Sequence, residues 1–336
     1  MTLPTTRLGR TGLTVSRLAL GTMTFGLQTD EAVSFKILDK AAGAGINFLD
    51  TADVYPVGGT LETIGGTEEI IGRWLKSKGA SGRSSFILAT KAVGKVGPNA
   101  WDQGASRKHL LDAVDASLRR LQTDYVDLYQ LHGDDRQTPL EESLEALDVI
   151  VRSGRARYVG VSNFLAYRLA RALGKSDLHR LTRFISVQPR YSLLFREIER
   201  ELLPLSEEEG LAVIPYNPLA GGLLTGKYKA GAQPETGTRF TLGTAGGMYQ
   251  NRYWNERSFR TVGQLQAVAD EAGVPMATLA LAWVMAEPRI TAPLLGASRP
   301  EQLDATIAGA SYVLEPALKA KLDEITAEYR KGDAPR

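Results

Sequence analysis

The sequence contains no cysteine and only three histidines among its 336 residues. The absence of cysteine excludes disulfides, thiolate metal sites and cysteine nucleophiles, and it is typical of a reducing cytosol, so a cytoplasmic protein is expected. Three scattered histidines offer no cluster of metal ligands, and no metal cofactor is expected. No stretch approaches the roughly 18 unbroken apolar residues of a membrane span, and the first residues lack the pattern of a signal peptide.

The sequence also lacks an excess of charge of either sign. Forty basic residues stand against 38 acidic ones, which gives a formal net charge of +2. So small a balance, spread along the chain, gives no electrostatic footprint for nucleic acid or for an anionic membrane surface. We therefore expect neither partner. An oligomer is possible but nothing in the sequence indicates one.

Short apolar segments alternate along the chain with longer segments of helical spacing. The apolar segments predict eight strands, at residues 18–21, 46–49, 86–90, 125–131, 156–161, 184–188, 211–216 and 293–295. Helices are predicted at residues 31–44, 68–78, 106–121 and 140–153, the first of them with Asp30 as its N-cap. Strands that are apolar on both faces and alternate with helices are typical of a parallel sheet covered by helices.

The count of eight strands favours a closed (β/α)8 TIM barrel over an open doubly wound sheet, although the alternation alone allows both. Residues 5–16, TTRLGRTGLTVS, predict an N-terminal β-hairpin around Thr11 and Gly12 that closes the barrel floor. Residues 223–257 are too irregular for one helix, and loops of this length are usually functional or disordered. No boundary divides the chain, so residues 1–336 are predicted to form a single domain.

Polar residues stand at the ends of successive predicted strands. The second strand ends at Asp50, the third at Lys91 and the fourth at His132. The distance along the chain is 41 residues from Asp50 to Lys91 and again 41 from Lys91 to His132. In (β/α)8 barrels the chemistry is carried by side chains at these carboxyl ends. We therefore expect these three side chains to share one site with Tyr55, which follows Asp50 in the same loop.

Each of these residues has a purely structural explanation when it is taken alone. A strand-end Asp is often an N-cap, a Lys often keeps its ammonium group in solvent, and an isolated His is more often structural than catalytic. Together they form a proton donor: Lys91 pairs with the buried acid Asp50, and the retained cation near Tyr55 lowers the pKa of its phenol. Such a Tyr can protonate a carbonyl oxygen as hydride reaches the carbon, while His132 orients and polarises the carbonyl.

Four segments, GINFLDTADVY, ATK, LYQLH and GRARYVGVSNF, together resemble the aldo-keto reductase superfamily, and the likeness extends over nearly the whole chain. The resemblance places the family's catalytic tetrad on Asp50, Tyr55, Lys91 and His132, with none of the four substituted. It also implies the barrel and a nicotinamide cofactor, NADPH or NADP+, with NADH possible. The insert YPVGGTLETIGGTEE and the segment LALGTMTFG further resemble a bacterial branch related to potassium-channel β-subunits.

No G-x-G-x-x-G motif follows the first predicted strand, and GAGINF lacks the third Gly and leads into a strand, so a Rossmann domain is disfavoured. The resemblance implies instead a cofactor that lies extended across the barrel mouth. The implied cofactor-binding residues are Gly21, Thr22, Met23 and Asp50 at the first strands, Ser162, Asn163 and Gln188 for the carboxamide, Tyr216 under the nicotinamide, Asn217, Pro218, Leu219, Gly221, Lys227 and Arg239 near the pyrophosphate, and Gly296, Ser298, Arg299 and Gln302 at the adenosine end.

The segment GASRPEQLDATI resembles the family's site for the adenosine 2′-phosphate. Ser298 can donate a hydrogen bond and Arg299 can pair with a phosphate. A plain helix start with Ser298 as its cap is the structural alternative. Two places depart from the family pattern: Asn217 stands where Ser is common, and Ala305-Thr306 stand where Glu-Asn is common, which removes adenine contacts.

The predicted function is NADPH-dependent reduction of an aldehyde or ketone to an alcohol, or the reverse oxidation, with Tyr55 as general acid or base. The alternative is a cofactor-bound regulatory or interaction subunit that resembles the channel β-subunits. A lyase or isomerase on the same barrel would leave the cofactor segments unexplained. The expected substrate is a small-molecule carbonyl compound, and the candidate pocket residues are Met23, Phe25, Val57, Trp101, Tyr249, Tyr253 and Trp254.

Overall fold

The computed structural model describes residues 3–79 and 81–330. The strands in that part of the chain are β1 Thr5–Arg7, β2 Thr14–Ser16, β3 Ala19–Gly21, β4 Phe48–Asp50, β5 Ile87–Ala92, β6 Val126–Leu131, β7 Ala156–Ser162, β8 Phe184–Gln188, β9 Ala212–Val213 and β10 Leu294–Gly296. The last eight form one sheet in the order β10-β3-β4-β5-β6-β7-β8-β9, in which every pairing is parallel.

The two ends of this sheet meet. A parallel bridge joins Val213 of β9 to Ile290, and the Leu294 N–H at the start of β10 donates a hydrogen bond of 2.8 Å to Pro215 O. The strands therefore curl into a ring, and the predicted (β/α)8 barrel is confirmed.

Helices follow most of the strands. They are α1 Glu31–Gly43, α2 Gly66–Ser77, α3 Arg107–Leu121, α4 Leu140–Arg152, α5 Ala166–His179, α6 Leu202–Glu209, α7 Gly246–Tyr253, α8 Glu256–Glu271, α9 Met276–Met285, α10 Gln302–Gly309 and α11 Pro316–Ile325. The side chain of Asp30 accepts a hydrogen bond of 2.8 Å from the Val33 N–H, so the predicted N-cap of α1 is confirmed.

Two strands lack two or more of the residues predicted for them. The strand expected at 46–49 begins at Phe48, because the Ile46 N–H is bonded to Ala41 O in the turn that ends α1. The strand expected at 211–216 is reduced to Ala212–Val213, and Pro215 beyond it has no N–H to donate to a neighbouring strand. Buried apolar residues continue past both strands, so the hydrophobic pattern is longer than the hydrogen-bonded ladder.

The N-terminal hairpin lies at the end of the barrel where the strands begin. Strands β1 and β2 pair antiparallel. Leu8 and Val15 are fully buried in one cluster with Phe48 at the start of β4. Gly9 lies so close to Gly210 that an added Cβ would be only 2.8 Å from the Gly210 carbonyl oxygen. The predicted hairpin and its position at the barrel floor are confirmed.

The long segment at 223–257 is built from short turns around one helix. Besides α7 it contains 3-10 turns at Arg239–Thr241 and Gly243–Ala245, and it begins within a further turn at Ala220–Thr225. The Thr244 N–H donates a hydrogen bond of 3.1 Å to Gly58 O, in the loop after β4. Neighbouring aromatic rings pack with centroids 4.7 to 5.2 Å apart, in the set Tyr228, Phe240, Trp254 and Phe259. The segment therefore covers part of the barrel mouth.

No single helix in residues 3–79 or 81–330 is both long enough and apolar enough to cross a membrane. Helices α8 and α9 taken together have the length and apolar composition of a span, but their axes are bent against each other by 96°. Nearly all of α9 is buried, and its Leu279, Leu281 and Trp283 belong to the main hydrophobic core. The apolar composition of α9 is thus explained by its packing.

Replacing Leu8 by Ala tests the hairpin as part of the core. Because Leu8 is fully buried, we expect the free energy of unfolding to fall by about 2–5 kcal/mol. Leu178→Ala, on α5 and 76% exposed, is the matched control and should change it by less than about 0.5 kcal/mol. Urea unfolding followed by circular dichroism measures both, and equal stability of the two variants would contradict the floor position of the hairpin.

Candidate active site

The acid and the cation at the ends of β4 and β5 form an ion pair. Asp50 is the last residue of β4, and Lys91 lies on the neighbouring strand β5. Lys91 Nζ lies 2.5 Å from Asp50 Oδ1 and donates a second hydrogen bond of 2.8 Å to Thr51 O. Both side chains are buried, Lys91 completely. The structure thus brings together the two residues that the sequence analysis pairs.

Two glutamines hold the other oxygen of Asp50. Gln130 Nε2 donates to Asp50 Oδ2 at 3.1 Å, and Gln188 Nε2 donates to the same oxygen at 2.8 Å. A buried carboxylate is costly unless its lone pairs are satisfied, and these donors satisfy it. Sequence reasoning missed Gln130, although its signal was a fully buried polar residue within the apolar run VDLYQL.

The ring of Tyr55 lies against this ion pair. Lys91 Nζ is 5.1 Å from the centroid of the ring. The rings of Tyr55 and His132 meet edge to face, with centroids 5.7 Å apart. Asp50, Lys91, Tyr55 and His132 are therefore neighbours, although they come from three different strand ends.

The phenol of Tyr55 is not made more acidic in this structure. Burial raises the pKa of Tyr55 well above its usual value, and the Asp50 carboxylate raises it further. The prediction of a lowered pKa is wrong here, because burial dominates and the Asp50 carboxylate, 2.5 Å from the Lys91 ammonium, opposes the effect of that cation. Tyr55 is accordingly a protonated phenol at neutral pH.

His132 is held as a neutral imidazole. Burial lowers the pKa of His132 to about 3, and the positive charge of Lys91 acts in the same direction. The backbone of His132 is fixed by two hydrogen bonds: its backbone N–H donates one of 2.8 Å to Ala92 O, and its backbone carbonyl accepts one of 3.0 Å from Asn163 Nδ2. A neutral imidazole can donate one hydrogen bond and accept one.

The polar residues at the ends of β7, β8 and β9 are linked to one another. Tyr216 Oη donates a hydrogen bond of 2.8 Å to Asn163 Oδ1, and Ser162 Oγ donates one of 2.8 Å to Gln188 O. Asn163 has a φ of 59°, a left-handed conformation that Asn tolerates better than most residues. These contacts hold Ser162, Asn163, Gln188 and Tyr216 along one arc of the rim.

Thr22 and Met23 lie on the opposite arc, after β3. Thr22 is buried, and its N–H and hydroxyl both donate to Asp50 O, at 3.1 and 2.9 Å. Met23 Sδ is 2.8 Å from Arg239 Nη1. Thr22 therefore supports the end of β4, and Met23 faces the long segment that covers the mouth.

Arg239 and Asn217 carry polar atoms without partners. Arg239 Nε and Asn217 Nδ2 are buried and donate no hydrogen bond within residues 3–79 and 81–330. A Cβ added to Gly221 would lie 3.6 Å from the Arg239 side chain, and one added to Gly296 would lie 3.9 Å from it. Gly296 is opposite Gly21 in the sheet. The guanidinium thus lies beside the backbone of Gly296, which no other side chain approaches as closely.

The other residues implied for the pyrophosphate lie on the same segment. Pro218 is buried, and Leu219 packs partly buried against the core. Lys227 is exposed, with its Nζ 4.8 Å from the centroid of the Tyr228 ring. Lys227 is therefore a surface cation at the edge of the mouth.

Ser298 and Gln302 are bonded to each other beyond β10. Gln302 Oε1 accepts hydrogen bonds from the Ser298 N–H at 2.8 Å and from Ser298 Oγ at 3.3 Å. Helix α10 begins at Gln302 with Glu301 as its N-cap residue, so Ser298 does not cap it. Arg299 is exposed next to Ser298.

The model of the Aldo/keto reductase family matches residues 17–327. The chain belongs to the aldo/keto reductase family. The uncharacterized oxidoreductase YrpG of Bacillus subtilis (strain 168) is 40% identical over 326 residues, 95% of each chain. Protein tas of Escherichia coli (strain K12) is 37% identical over 344 residues, 96% of this chain and 97% of its own. The probable voltage-gated potassium channel subunit beta of Arabidopsis thaliana is 36% identical over 323 residues, 95% of each chain. The family recognised from the sequence is confirmed, and the protein is an oxidoreductase of this family.

Members of this family generally use a nicotinamide dinucleotide, and the residues of this aldo/keto reductase fit one. The buried Nε of Arg239 and the exposed guanidinium of Arg299 are donors suited to phosphate oxygens, and Gly296 leaves room for close approach. No group of three or more His, Asp or Glu side chains in the described ranges could hold a metal ion.

The candidate pocket residues of the reductase divide into two groups. Met23, Val57 and Tyr249 lie together at the mouth. The Val57 N–H donates a hydrogen bond of 2.9 Å to Met23 O, and Tyr249 Oη is 3.8 Å from Met23 Sδ. Three of the others serve packing: Phe25 and Tyr253 belong to the core, and Trp254 packs against Phe240 in the aromatic set. Trp101 lies at the surface and is 55% exposed. Aromatic content alone did not distinguish the two groups.

Two acids behind the tetrad escaped the sequence analysis. Glu68 is buried and satisfied, by Thr90 Oγ1 at 2.5 Å and by Arg120 Nε at 2.7 Å. Asp53 is 1% exposed, and neither of its carboxylate oxygens has a hydrogen-bond partner in the described part of the chain. Burial raises the pKa of Asp53 well above its usual value, and the Glu68 carboxylate raises it further. The signal in the sequence was the second acid in DTADVY.

Replacing Asp53 by Asn tests whether this acid is protonated in the folded reductase. An unfolded Asp ionises near pH 4, whereas Asp53 keeps its proton to higher pH, so stability is lost as the pH rises from about 4 through the folded-state pKa. Asn is neutral at every pH. We therefore expect Asp53→Asn to raise the Tm at pH 7.5 by at least about 2 °C, which corresponds to roughly 1 kcal/mol, and to raise it little at pH 4.

Thermal unfolding at the two pH values measures this difference. Asp124→Asn, at an exposed position, is the control and should shift the Tm at neither pH. An Asp53→Asn variant that is destabilised at both pH values would show that Asp53 is an ionised partner in the folded state.

Proposed function

We propose that this aldo/keto reductase reduces an aldehyde or ketone to an alcohol with NADPH, and that Tyr55 protonates the carbonyl oxygen. The observation that carries the proposal is the cluster of Tyr55, His132 and the Asp50–Lys91 pair at one end of the barrel. A phenol, a neutral imidazole and a buried ammonium beside one another are groups that suit carbonyl reduction.

Tyr55 is suited to give a proton rather than to take one. Its raised pKa keeps the phenol protonated at neutral pH, so Tyr55 carries the proton that reduction needs and would have to lose it before acting as base in the reverse oxidation. As the proton leaves, the charge of Lys91, 5.1 Å from the ring centroid, stabilises the phenolate. Asp50 holds the ammonium group in that position.

His132 is suited to orient the carbonyl group. Its ring stands edge to face with Tyr55, so an N–H of the imidazole and the phenol can reach one oxygen atom. Because the pKa of His132 is lowered to about 3, the ring donates a hydrogen bond without carrying a charge that would repel Lys91.

The bound cofactor supplies the hydride. We infer that Ser162, Asn163 and Gln188 would hold its carboxamide, that Tyr216 would contact its nicotinamide ring, and that Arg239 would pair with its pyrophosphate. Preference for NADPH over NADH rests on Arg299, with Ser298 beside it. Thr306 adds little at the adenine, because it is buried and its hydroxyl donates to Leu303 O at 3.0 Å.

A regulatory or interaction subunit is the second candidate. It is favoured by the 36% identity to the probable channel subunit beta of Arabidopsis thaliana. The unsubstituted tetrad supports catalysis but is compatible with a regulatory role as well. Oxidation of NADPH in the presence of a panel of aldehydes and ketones separates the two, since a purely regulatory subunit would turn over none of them.

Tyr55→Phe removes the proton donor and keeps the ring. We expect kcat for aldehyde reduction to fall by about 10²- to 10⁴-fold, because a positioned proton donor contributes that much. The dissociation constant for NADPH, from fluorescence titration, should stay within about twofold of wild type. Tyr167→Phe, on a half-exposed ring of α5, is the control. A Tyr55→Phe enzyme with wild-type kcat would overturn the assigned role.

Arg299→Gln tests the preference for NADPH. Losing a charged hydrogen-bond donor to the 2′-phosphate should raise the dissociation constant for NADPH by about tenfold or more, and that for NADH by less than about twofold. Calorimetric titration of the protein with each nucleotide measures this without turnover. Arg171→Gln, at an exposed position of α5, controls for net charge. Equal weakening of NADPH and NADH binding would contradict the assignment.

A further inference from the structure

A cavity of about 390 Å³ lies between the loop after β8 and helix α7. The loop contributes Arg190, Leu194 and Phe195 to its lining, α7 contributes Met248, Asn251 and Arg252, and α8 contributes Arg257. The volume is within the range of small-molecule sites. None of these side chains belongs to the tetrad or to the residues implied for the cofactor.

Two guanidinium groups in this lining lack acidic partners. Arg190 lies 3.6 Å from the centroid of the Phe195 ring and 5.9 Å from that of Tyr253, and Arg252 lies 5.9 Å from that of Tyr249. Across residues 3–79 and 81–330, neither Arg190 nor Arg252 forms an ion pair with a carboxylate. Two like charges that line one partly enclosed space repel each other, and an anion bound between them would relieve that repulsion.

The cavity adjoins the catalytic mouth on the side of β8 and β9. Arg190 forms a parallel bridge with Tyr216, the residue that donates to Asn163 at the rim. Burial raises the pKa of Tyr216, and the charges of Arg252 and Arg190 act against that rise. Both guanidinium groups are therefore within electrostatic reach of the rim.

Helix α7 faces both spaces. Its Tyr249 reaches Met23 at the mouth, with Tyr249 Oη 3.8 Å from Met23 Sδ. Its Met248 and Arg252, four positions apart and so on one face of the helix, line the cavity. A ligand that reaches past Tyr249 from the mouth would meet the two arginines.

We propose that this cavity binds the anionic group, a carboxylate or a phosphate, of the carbonyl substrate, and that Arg190 and Arg252 select acidic aldehydes or ketones over neutral ones. The proposal rests on the reductase function proposed above. The apolar side chains of Leu194, Phe195 and Met248 suit the carbon chain next to the anion, which a free inorganic ion would not use.

The cations of this cavity are distinct from those implied for the cofactor. Arg239 lies beside Gly296, and Arg299 follows β10, whereas Arg190 follows β8. Neither Arg239 nor Arg299 lines the cavity. A second set of arginines near the mouth is therefore left for the substrate.

The test compares carbonyl compounds that differ in charge alone. The first arm uses oxo acids with the aldehyde and the carboxylate separated by increasing chain length, each assayed beside its methyl ester. For one range of lengths we expect kcat/KM of the acid to exceed that of the ester by about tenfold or more, chiefly through KM. The second arm compares glyceraldehyde 3-phosphate with glyceraldehyde. The arm in which the anionic compound is preferred more strongly over its neutral counterpart shows whether the cavity binds a carboxylate or a phosphate.

Substitutions assign the preference to the cavity. Arg190→Met and Arg252→Met keep an unbranched apolar stem and remove the charge, so KM for the preferred acid should rise about tenfold while KM for its ester changes by less than about twofold. Arg190→Lys keeps the charge and should recover part of the loss. Arg260→Met, at an exposed position of α8, controls for net charge.

Calorimetry with the hydroxy acid that corresponds to each oxo acid, added to the NADP+-loaded protein, reads binding without turnover. If no carbonyl compound is reduced but one of these hydroxy acids binds wild type and not Arg190→Met, the reductase function fails and the cavity assignment stands. Equal kcat/KM for acids and esters at every length would overturn the cavity assignment, and so would equal losses on both in the arginine variants. Inhibition by a simple carboxylate that is not competitive with the aldehyde would likewise overturn it, by placing the anion outside the substrate site.

Discussion

The buried ion pair between Lys91 and Asp50 is the interaction on which the rest of the site depends. Taking two charges out of water costs several kcal/mol for each ion, and here the cost is offset by a 2.5 Å contact, by the Thr51 carbonyl on the ammonium and by two glutamine amides on the carboxylate. Removal of one partner would leave an uncompensated buried charge, at about 3–5 kcal/mol. The barrel can therefore hold this polar centre only when β4, β5, β6 and β8 each contribute their side chain.

Burial and the charges of this pair together set the protonation of the two groups above it. Tyr55 lies near both charges, but the Asp50 carboxylate adds to the effect of burial and the phenol keeps its proton. His132 is affected by Lys91, whose charge adds to burial in the other direction, and the imidazole stays neutral. A charged pair below and two neutral hydrogen-bond donors above give the mouth of the barrel a site that can donate protons to an oxygen without presenting a net charge to it.

Much of this arrangement was predictable from local patterns. The 41-residue spacing placed Asp50, Lys91 and His132 at equivalent strand ends, because each β/α unit repeats the same geometry. The N-cap at Asp30 and the hairpin at the barrel floor followed from short motifs. The pKa of Tyr55, the glutamine partners of Asp50 and the unpartnered Asp53 did not follow. Gln130 and Gln188 lie 80 and 138 residues from Asp50, and no local pattern connects residues so far apart.

The sequence by itself determined the number and order of the strands, the residues at their carboxyl ends and the family, because these depend on hydrophobic periodicity and on short contiguous motifs. Only the tertiary structure decided which amides complete the Asp50 shell, in which direction the pKa of Tyr55 moves, and that Arg190 and Arg252 from separate segments face one cavity. Those features depend on burial and on distances between charges, and both exist only once the strands have closed into a barrel.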